Sequence, residues 1–328
     1  MAVRSRVLGT GMCVPDLIMT NDDLTRIVDT SDEWIVSRTG MKERHRVRPD
    51  QAASDLAIPA SRQALEEAGL GAGDLDAIIV ATITPDTIFP STSCILQDKL
   101  GARHITAFDV SAGCTGAIYA LALADMMIRA GDARHVLIVG VEVLTKITNW
   151  TDRSTCVLFG DAAGAMVVGP CDDGRHGMLS YYLASDGAAG NTLFMPAGGS
   201  RLPASHETVD QRLHCLYMKG NELFRPAVKM MSDSCILLAE RAGLTLADID
   251  MYVFHQANLR IIEAVGKRLE IPREKVFVNI HKYANTSTAT TILAVHEARR
   301  EGLIGSGSIV SQVAFGAGLT WGGVLWRW

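Results

Sequence analysis

No CxxC pair, no HExxH sequence and no Cys/His cluster occurs in the chain, so no metal site is expected. The seven cysteines are scattered and odd in number, which does not read as a disulfide framework and suits a reducing cytoplasm. Long apolar runs are missing as well. None reaches the ~20 residues that a membrane helix needs, and the opening MAVRSRVLGTGMCVP lacks the apolar run of a signal peptide. Positive charge is not in excess: 31 basic against 36 acidic residues leave a net charge of −5, which argues against a general nucleic-acid binder. Any anionic partner must then be met by a local basic patch. No GxSxG elbow surrounds Ser111, which sets aside a serine hydrolase. The Gly-x-Gly of FGAGLTWGG runs into the strand-like VLWRW, whereas a dinucleotide loop must lead into a helix.

What is present is an ordinary globular composition, 48% hydrophobic and 20% charged, in 328 residues, about twice the ~150 of a common domain. The chain also repeats itself. EEAGLGAGDLDAIIV, ending at Val80, matches AERAGLTLADIDMYVF, ending at Phe254; Gly69 and Gly243, like Asp76 and Asp250, stand 174 residues apart. Each copy reads as a helix stopped by glycine, a turn and a buried strand. Further on, ITAFDV, a cysteine-bearing turn, a helix ending at Gly131 and HVLIVGVEV have counterparts in KVFVNI, an asparagine-bearing turn, a helix ending at Gly302 and SIVSQVAFG. Strands alternating with helices imply an α/β fold with parallel sheets covered by helices. The division is expected in CDDGRHG, Cys171 to Gly177, giving halves 1–173 and 174–328. The stretch from Ser185 to Ser205, rich in Gly, Pro, Ala and Asn, reads as a surface excursion.

Ligands gather at the carboxyl ends of strands in α/β sheets, and three polar turns fall at such ends. SAGCTG puts Cys114 at a strand-to-helix elbow, where free amides and the helix dipole favour a thiolate. An unperturbed thiol near ~8.5 is only a few per cent ionised at neutral pH, and lowering it by ~2 units would make thiolate the major species. Taken alone, a small buried core cysteine is the commoner fate of this residue. HQANLR follows DMYVF, so His255 reads as a site residue, a core histidine or a helix cap. HKYANTSTATT follows KVFVNI, and Asn285 reads as a site residue or an amino-terminal cap. The cysteine and asparagine turns occupy matching places in the two halves. If the halves pack face to face, thiol, imidazole and carboxamide converge, a set suited to acyl-thioester chemistry.

DVSAGCTG, HQANLRII, NTSTAT, FGAGLTWG, TSDEWIVSRTGMKERH and LFGDAAGA together resemble the β-ketoacyl-[acyl carrier protein] synthase III family, in its order and spacing over almost the whole chain. The resemblance implies a thiolase-like fold, two pseudo-symmetric βαβαβαββ halves in a five-layered α-β-α-β-α sandwich, working as a homodimer. It implies transfer of an acyl group from coenzyme A to Cys114. Decarboxylative condensation with malonyl-[acyl carrier protein] follows, at the start of type II fatty acid synthesis and without a cofactor. His255 and Asn285 are then the donors to the malonyl thioester carbonyl, and the backbone amides of Cys114 and Ala317 form the oxyanion hole. Trp34, Arg38, Thr30, Arg153, Asn221 and Asn258 correspond to coenzyme A contacts. Phe89, Ile83, Leu144, Phe159 and Met218 correspond to the acyl pocket, with Phe89 reaching across the dimer. Arg225, Arg260, Lys267 and Arg268 lie where the family docks its acidic carrier protein, which supplies the local basic patch.

Three positions depart from the family pattern. Ala284 stands where glycine usually precedes the asparagine, Ala317 where many members have a third glycine, and Ile83 where some acetyl-preferring members have a smaller polar residue. A degradative thiolase would need a second cysteine late in the chain, and none follows Cys235. A secondary-metabolism relative, initiating polyketides or joining acyl chains, remains an alternative. So does a protein that only binds coenzyme A or carrier protein.

Overall fold

The structure, a computed structural model, describes residues 4–171 and 173–328. Asp172, inside the turn expected to divide the halves, lies outside the described residues. One sheet is built from β1 (Arg4–Cys13), β2 (Ala77–Ala81), β3 (Thr106–Val110), β4 (Val136–Val143) and β5 (Asp161–Cys171), in the order β1-β5-β4-β2-β3. The other contains β6 (Gly177–Ser185), β7 (Met251–Phe254), β8 (Ile309–Gly316) and β9 (Thr320–Arg327), in the order β7-β8-β9-β6. β2 runs parallel to β3 and β4, and β7 parallel to β8; the remaining pairings are antiparallel.

The main helices are α1 (Asp32–Thr39), α2 (Ala53–Ala68), α3 (Thr92–Leu100), α4 (Gly116–Ala130), α5 (Gly220–Arg241), α6 (Leu259–Arg268) and α7 (Thr290–Arg300). α2 and α3 cover the outer face of the first sheet, α4 and α7 lie between the sheets, and α5 with α6 covers the second. The result is the five-layered, thiolase-like sandwich. Sequence dictates these places. The stretch GAIYALALADMMIRA in α4 is rich in alanine, so both sheets can approach it, and its buried residues fall on most of its circumference. β4, VLIVGVEV, is buried along its whole length, as a strand with helices on both faces must be. The paired stop signals are real chain terminators: Gly69, Gly131, Gly243 and Gly302 all take left-handed φ, between 66° and 83°.

One expected strand is missing. KVFVNI makes a single bridge, Val276 to Tyr252, and no ladder. A glutamine replaces the missing rungs: Gln256 Nε2 donates to the carbonyls of Phe254 and Phe277, and its Oε1 accepts from the Asn279 amide. The backbone is satisfied without sheet pairing, so none is required. The matched turns also differ in detail. α4 and α7 are each preceded by a 3-10 turn, Gly113–Thr115 and Ser287–Ala289. Thr288 holds the middle place that Cys114 holds in the first half, while Asn285 comes three residues earlier.

Candidate active site

Cys114 sits in the 3-10 turn between β3 and α4, with 9% of its surface exposed. Gly113 takes a φ of +53°, and a Cβ there would stand 2.8 Å from the amide nitrogen of Ala317. A Cβ on Gly316 would stand 2.6 Å from the amide nitrogen of Cys114. Backbone therefore lies directly on backbone where the FGAG loop meets the cysteine turn, and only glycine fits at either contact.

His255 follows β7, and its amide donates to the Val313 carbonyl at 2.8 Å, carrying the strand register one residue further. Its Nδ1 is 2.6 Å from the Thr290 hydroxyl, which also lies 2.9 Å from the Ser287 carbonyl. Burial pushes the imidazole down to about 3, so it is neutral at working pH. Asn285 is clamped to the first half: its amide donates to the Leu158 carbonyl at 2.9 Å, and its carbonyl accepts from Gly160 at 3.1 Å. Asn285 Oδ1 accepts from the Ser287 amide at 2.8 Å. Asn285 is therefore not the helix cap of the alternative reading, since the cap position of the 3-10 turn is Thr286; its oxygen makes an Asx-type turn, and the amino group is left for other work. Cys114, His255 and Asn285 all line one cleft of about 740 Å³.

The thiol does not behave as its elbow suggests. Burial pushes Cys114 up to about 11, against hydrogen bonds from Ser287 and the cysteine's own amide, and the charge of Glu142 adds to the rise. The expected fall towards neutrality is therefore corrected: desolvation outweighs the helix terminus, and the resting residue is a thiol. Glu142 was missed in the sequence. It is fully buried on β4, and burial pushes its carboxyl up to about 7. Its signal was available, as the single charge in VLIVGVEV. Ser287 and Thr290 gave no comparable signal among the many hydroxyls of NTSTATT.

Of the proposed coenzyme A contacts, Trp34, Arg38, Asn221 and Asn258 line the cleft. The guanidinium carbons of Arg153 and Arg38 lie 5.0 and 5.9 Å from the Trp34 ring centroid. Neither Arg153 nor Thr30 lines the cleft itself. Asn258 also caps α6, its Oδ1 accepting from the Arg260 amide at 2.9 Å, and its Nδ2 donates to the Arg38 carbonyl. Phe159 and Met218 line the cleft; Leu144 and Ile83 stand behind them in the same apolar cluster. Phe89 is 84% exposed, beside an equally exposed Ile88, and takes no part in the cleft. Arg225 and Arg260 stand at the cleft, with Lys267 and Arg268 exposed further along α6.

The layered halves and the Cys–His–Asn cleft between them define a protein of the thiolase-like class. Two family models match: 3-oxoacyl-[acyl-carrier-protein] synthase III over residues 108–187, and the C-terminal model of the same synthase over residues 239–328. The chain is 55% identical to β-ketoacyl-[acyl-carrier-protein] synthase III of Caldanaerobacter subterraneus subsp. tengcongensis, over 99% of this chain and 98% of that one. The crystal structure of 3-oxoacyl-[acyl-carrier-protein] synthase III from Aquifex aeolicus superposes with a TM-score of 0.91 at 44% identity, covering 99% of this chain and all of that one. The priming β-ketosynthase of the R1128 polyketide pathway superposes with a TM-score of 0.91 at 35% identity, over 98% of this chain and 96% of that one. The chain belongs to the β-ketoacyl-[acyl-carrier-protein] synthase III family, whose other chemical name is 3-oxoacyl synthase III.

Proposed function

We propose that the chain takes a short acyl group, such as acetyl, from coenzyme A onto Cys114 and condenses it with malonyl-[acyl carrier protein]. The products are β-ketoacyl-[acyl carrier protein], coenzyme A and carbon dioxide, and the step initiates type II fatty acid synthesis. The observation that carries this reading is the convergence of Cys114, His255 and Asn285 in one cleft, drawn from both halves of the chain. The thiol forms the acyl thioester, with the amides of Cys114 and Ala317 holding the oxyanion of the tetrahedral intermediate. Decarboxylation of malonyl leaves an enolate, whose oxygen takes hydrogen bonds from His255 Nε2 and Asn285 Nδ2. The neutral imidazole donates through Nε2–H when the Thr290 hydroxyl turns its single proton from the Ser287 carbonyl, at 2.9 Å, to Nδ1, at 2.6 Å. Each such donor in a dry cleft is worth ~10²- to 10³-fold in rate.

Trp34, flanked by Arg153 and Arg38, offers a stacking face and cations to the adenine and phosphates of coenzyme A. Asn221 and Asn258 line the same cleft, and Thr30, outside it, is the outermost of the proposed contacts. The exposed Ile88–Phe89 pair and the free edge of β3 support a homodimer in which Phe89 closes the partner's acyl pocket. Halves 1–173 and 174–328 are read as copies of one ancestral unit, a reading supported by two sheets with no strand in common. Arg225, Arg260, Lys267 and Arg268 are the docking cations for the acidic carrier, and the setting is the cytoplasm. A second reading, priming of polyketide synthesis, draws on the likeness to the R1128 enzyme. Mass spectrometry of the enzyme after exposure to a panel of acyl-coenzymes A separates them by the acyl groups accepted. Cys114→Ala should carry no acyl group; full labelling of that variant overturns the proposal.

A further inference from the structure

A short hairpin beside the cleft hides a charge. Its second strand, Glu43–Arg46, reads ERHR and pairs antiparallel with Leu17–Thr20, and Arg44 is the fully buried side chain among the four. A guanidinium is charged at any working pH, yet among the described residues no carboxylate pairs with this one. Its partners are three neutral oxygens. Nη1 donates to the Met19 carbonyl at 3.2 Å and to Asn21 Oδ1 at 2.9 Å, and Nη2 donates to the Val157 carbonyl at 3.0 Å. Among the described residues Nε has no partner. A buried charge without a counter-ion costs stability that an apolar side chain of similar length would not. Met19, Ile35, Met41 and Val157 already share an apolar cluster that holds these stretches together. Apolar contact has no direction, however, and does not fix a spacing as hydrogen bonds do.

The three oxygens lead to two walls of the cleft. Asn21, 2% exposed, passes the tie on: its Nδ2 donates to Asp32 Oδ1 and to the Met41 carbonyl, each at 2.8 Å. Asp32 opens α1 and Met41 stands just beyond its Gly40 cap, so one carboxamide holds both ends of the helix that carries Trp34 and Arg38. Val157 closes the short helix Arg153–Cys156. From that helix the Arg153 guanidinium reaches to 5.0 Å from the Trp34 ring centroid, its Nη1 donating to the Asp29 carbonyl at 2.8 Å. A single guanidinium therefore joins the wall that presents the Trp34 face to the wall that presents the Arg153 cation.

We infer that Arg44 is the positioning residue for the nucleotide end of the acyl donor: it fixes the spacing of α1 and the Arg153–Cys156 helix, so that Trp34 and Arg153 receive an adenine nucleotide in register. It touches neither the donor nor the reacting atoms. The inference rests on the reading of Trp34 and Arg153 as coenzyme A contacts. Its consequence is selective. A thioester that ends before the nucleotide loses nothing when the walls drift, whereas acetyl-coenzyme A loses the stack and the cation together. The Cys114 end is held separately, by the backbone bonds of Asn285 and the close approach of Gly113 and Gly316 to their neighbours.

Single-turnover acylation of Cys114, followed by intact-protein mass spectrometry at increasing donor concentration, gives a half-saturating concentration and a limiting rate for each donor. The donors are acetyl-coenzyme A and S-acetylpantetheine, and the native protein should favour the first. Arg44→Met should raise the half-saturating concentration of acetyl-coenzyme A ~10-fold, the scale of a well-placed cation contact on an aromatic face. Its limiting rate, and both quantities for S-acetylpantetheine, should not change. Asn21→Ala cuts the tie at α1 and should act in the same way, so it decides the matter should Arg44→Met not fold. Equal losses with both donors would mean a general loosening of the cleft and overturn the inference. Trp34→Ala separates the inference from the reading beneath it. A preference lost in Trp34→Ala but kept when either tie residue is replaced overturns the role of Arg44 alone. The clamp itself fails, and the inference with it, if Trp34→Ala keeps the preference. The same holds if the native protein is indifferent to the nucleotide or takes no acyl group from either donor.

Discussion

Glu142 should make the protein less stable as pH rises through neutrality, and Glu142→Gln should remove that dependence. The carboxyl ordinarily titrates near 4.5, and burial on β4 pushes it up to about 7. Between these values the folded chain binds more protons than the unfolded one, so unfolding free energy falls with rising pH. Below pH 4.5 the buried acid is neutral in both states and costs nothing through ionisation. Above pH 7 the full penalty is present, roughly 3 kcal/mol at 1.36 kcal/mol per pKa unit. About 2 kcal/mol of it develops between pH 5.5 and 8.5. Glutamine keeps the shape without the charge. The stability difference, variant minus native, should therefore grow by about 2 kcal/mol over that interval. At a urea slope of about 3 kcal/mol/M this is roughly 0.7 M in midpoint. Urea titrations of both proteins at pH 5.5, 7.0 and 8.5 measure it. Parallel pH profiles would refute the reasoning, because a carboxyl that titrates normally in the fold contributes no such slope. A group retained against so large a cost is more readily explained by chemistry than by packing.

Other outcomes follow from the site. His255→Ala and Asn285→Ala should each cut malonyl decarboxylation ~100-fold or more while the acyl-enzyme still forms; normal decarboxylation in both removes their assigned role. Because His255 is neutral down to about 3, native condensation should show no limb from this residue between pH 5 and 8, a point that a pH–rate profile checks. Arg260→Glu with Lys267→Glu should raise the KM for malonyl-[acyl carrier protein], more at low salt than at high, since exposed contacts contribute ~0.2–1 kcal/mol each and are screened. Acyl transfer from coenzyme A should be unchanged, and an unaltered carrier dependence at low salt counts against the patch. Ala284 sits at φ 54° and ψ −152°, a region nearly reserved for glycine. Ala284→Gly should relieve ~1–3 kcal/mol of strain, lose ~0.8 kcal/mol of methyl burial and spend part of the rest on chain entropy. A small net gain in urea midpoint with activity intact is expected.

Most of the architecture was legible because periodicity and stop signals repeat. Paired glycines ended paired helices, and uniformly apolar runs became strands covered on both faces. KVFVNI misled because its apolar content reads as a strand, whereas the amide of Gln256, displayed by a different turn, had already satisfied the backbone. Ala284 is an instructive departure: the sequence marked it as unusual, and only the backbone angles explain why glycine belongs there.

The residues proposed to carry the chemistry could be named from their turns, since a cysteine, a histidine and an asparagine at strand ends are local patterns. Their ionisation could not. The dipole of α4 is a local feature that sequence reveals, but desolvation depends on every neighbour that closes over Cys114 and Glu142. Those neighbours come from both halves. Ser287 and Thr288 reach Glu142 across 145 and 146 residues of chain, and Thr290 reaches His255 across 35. The chain by itself therefore determined the repeat, the layers and the candidates for the reactive groups, because these depend on residue type and spacing. The tertiary structure decided where the protons reside, because that depends on burial and on hydroxyls brought together only by folding.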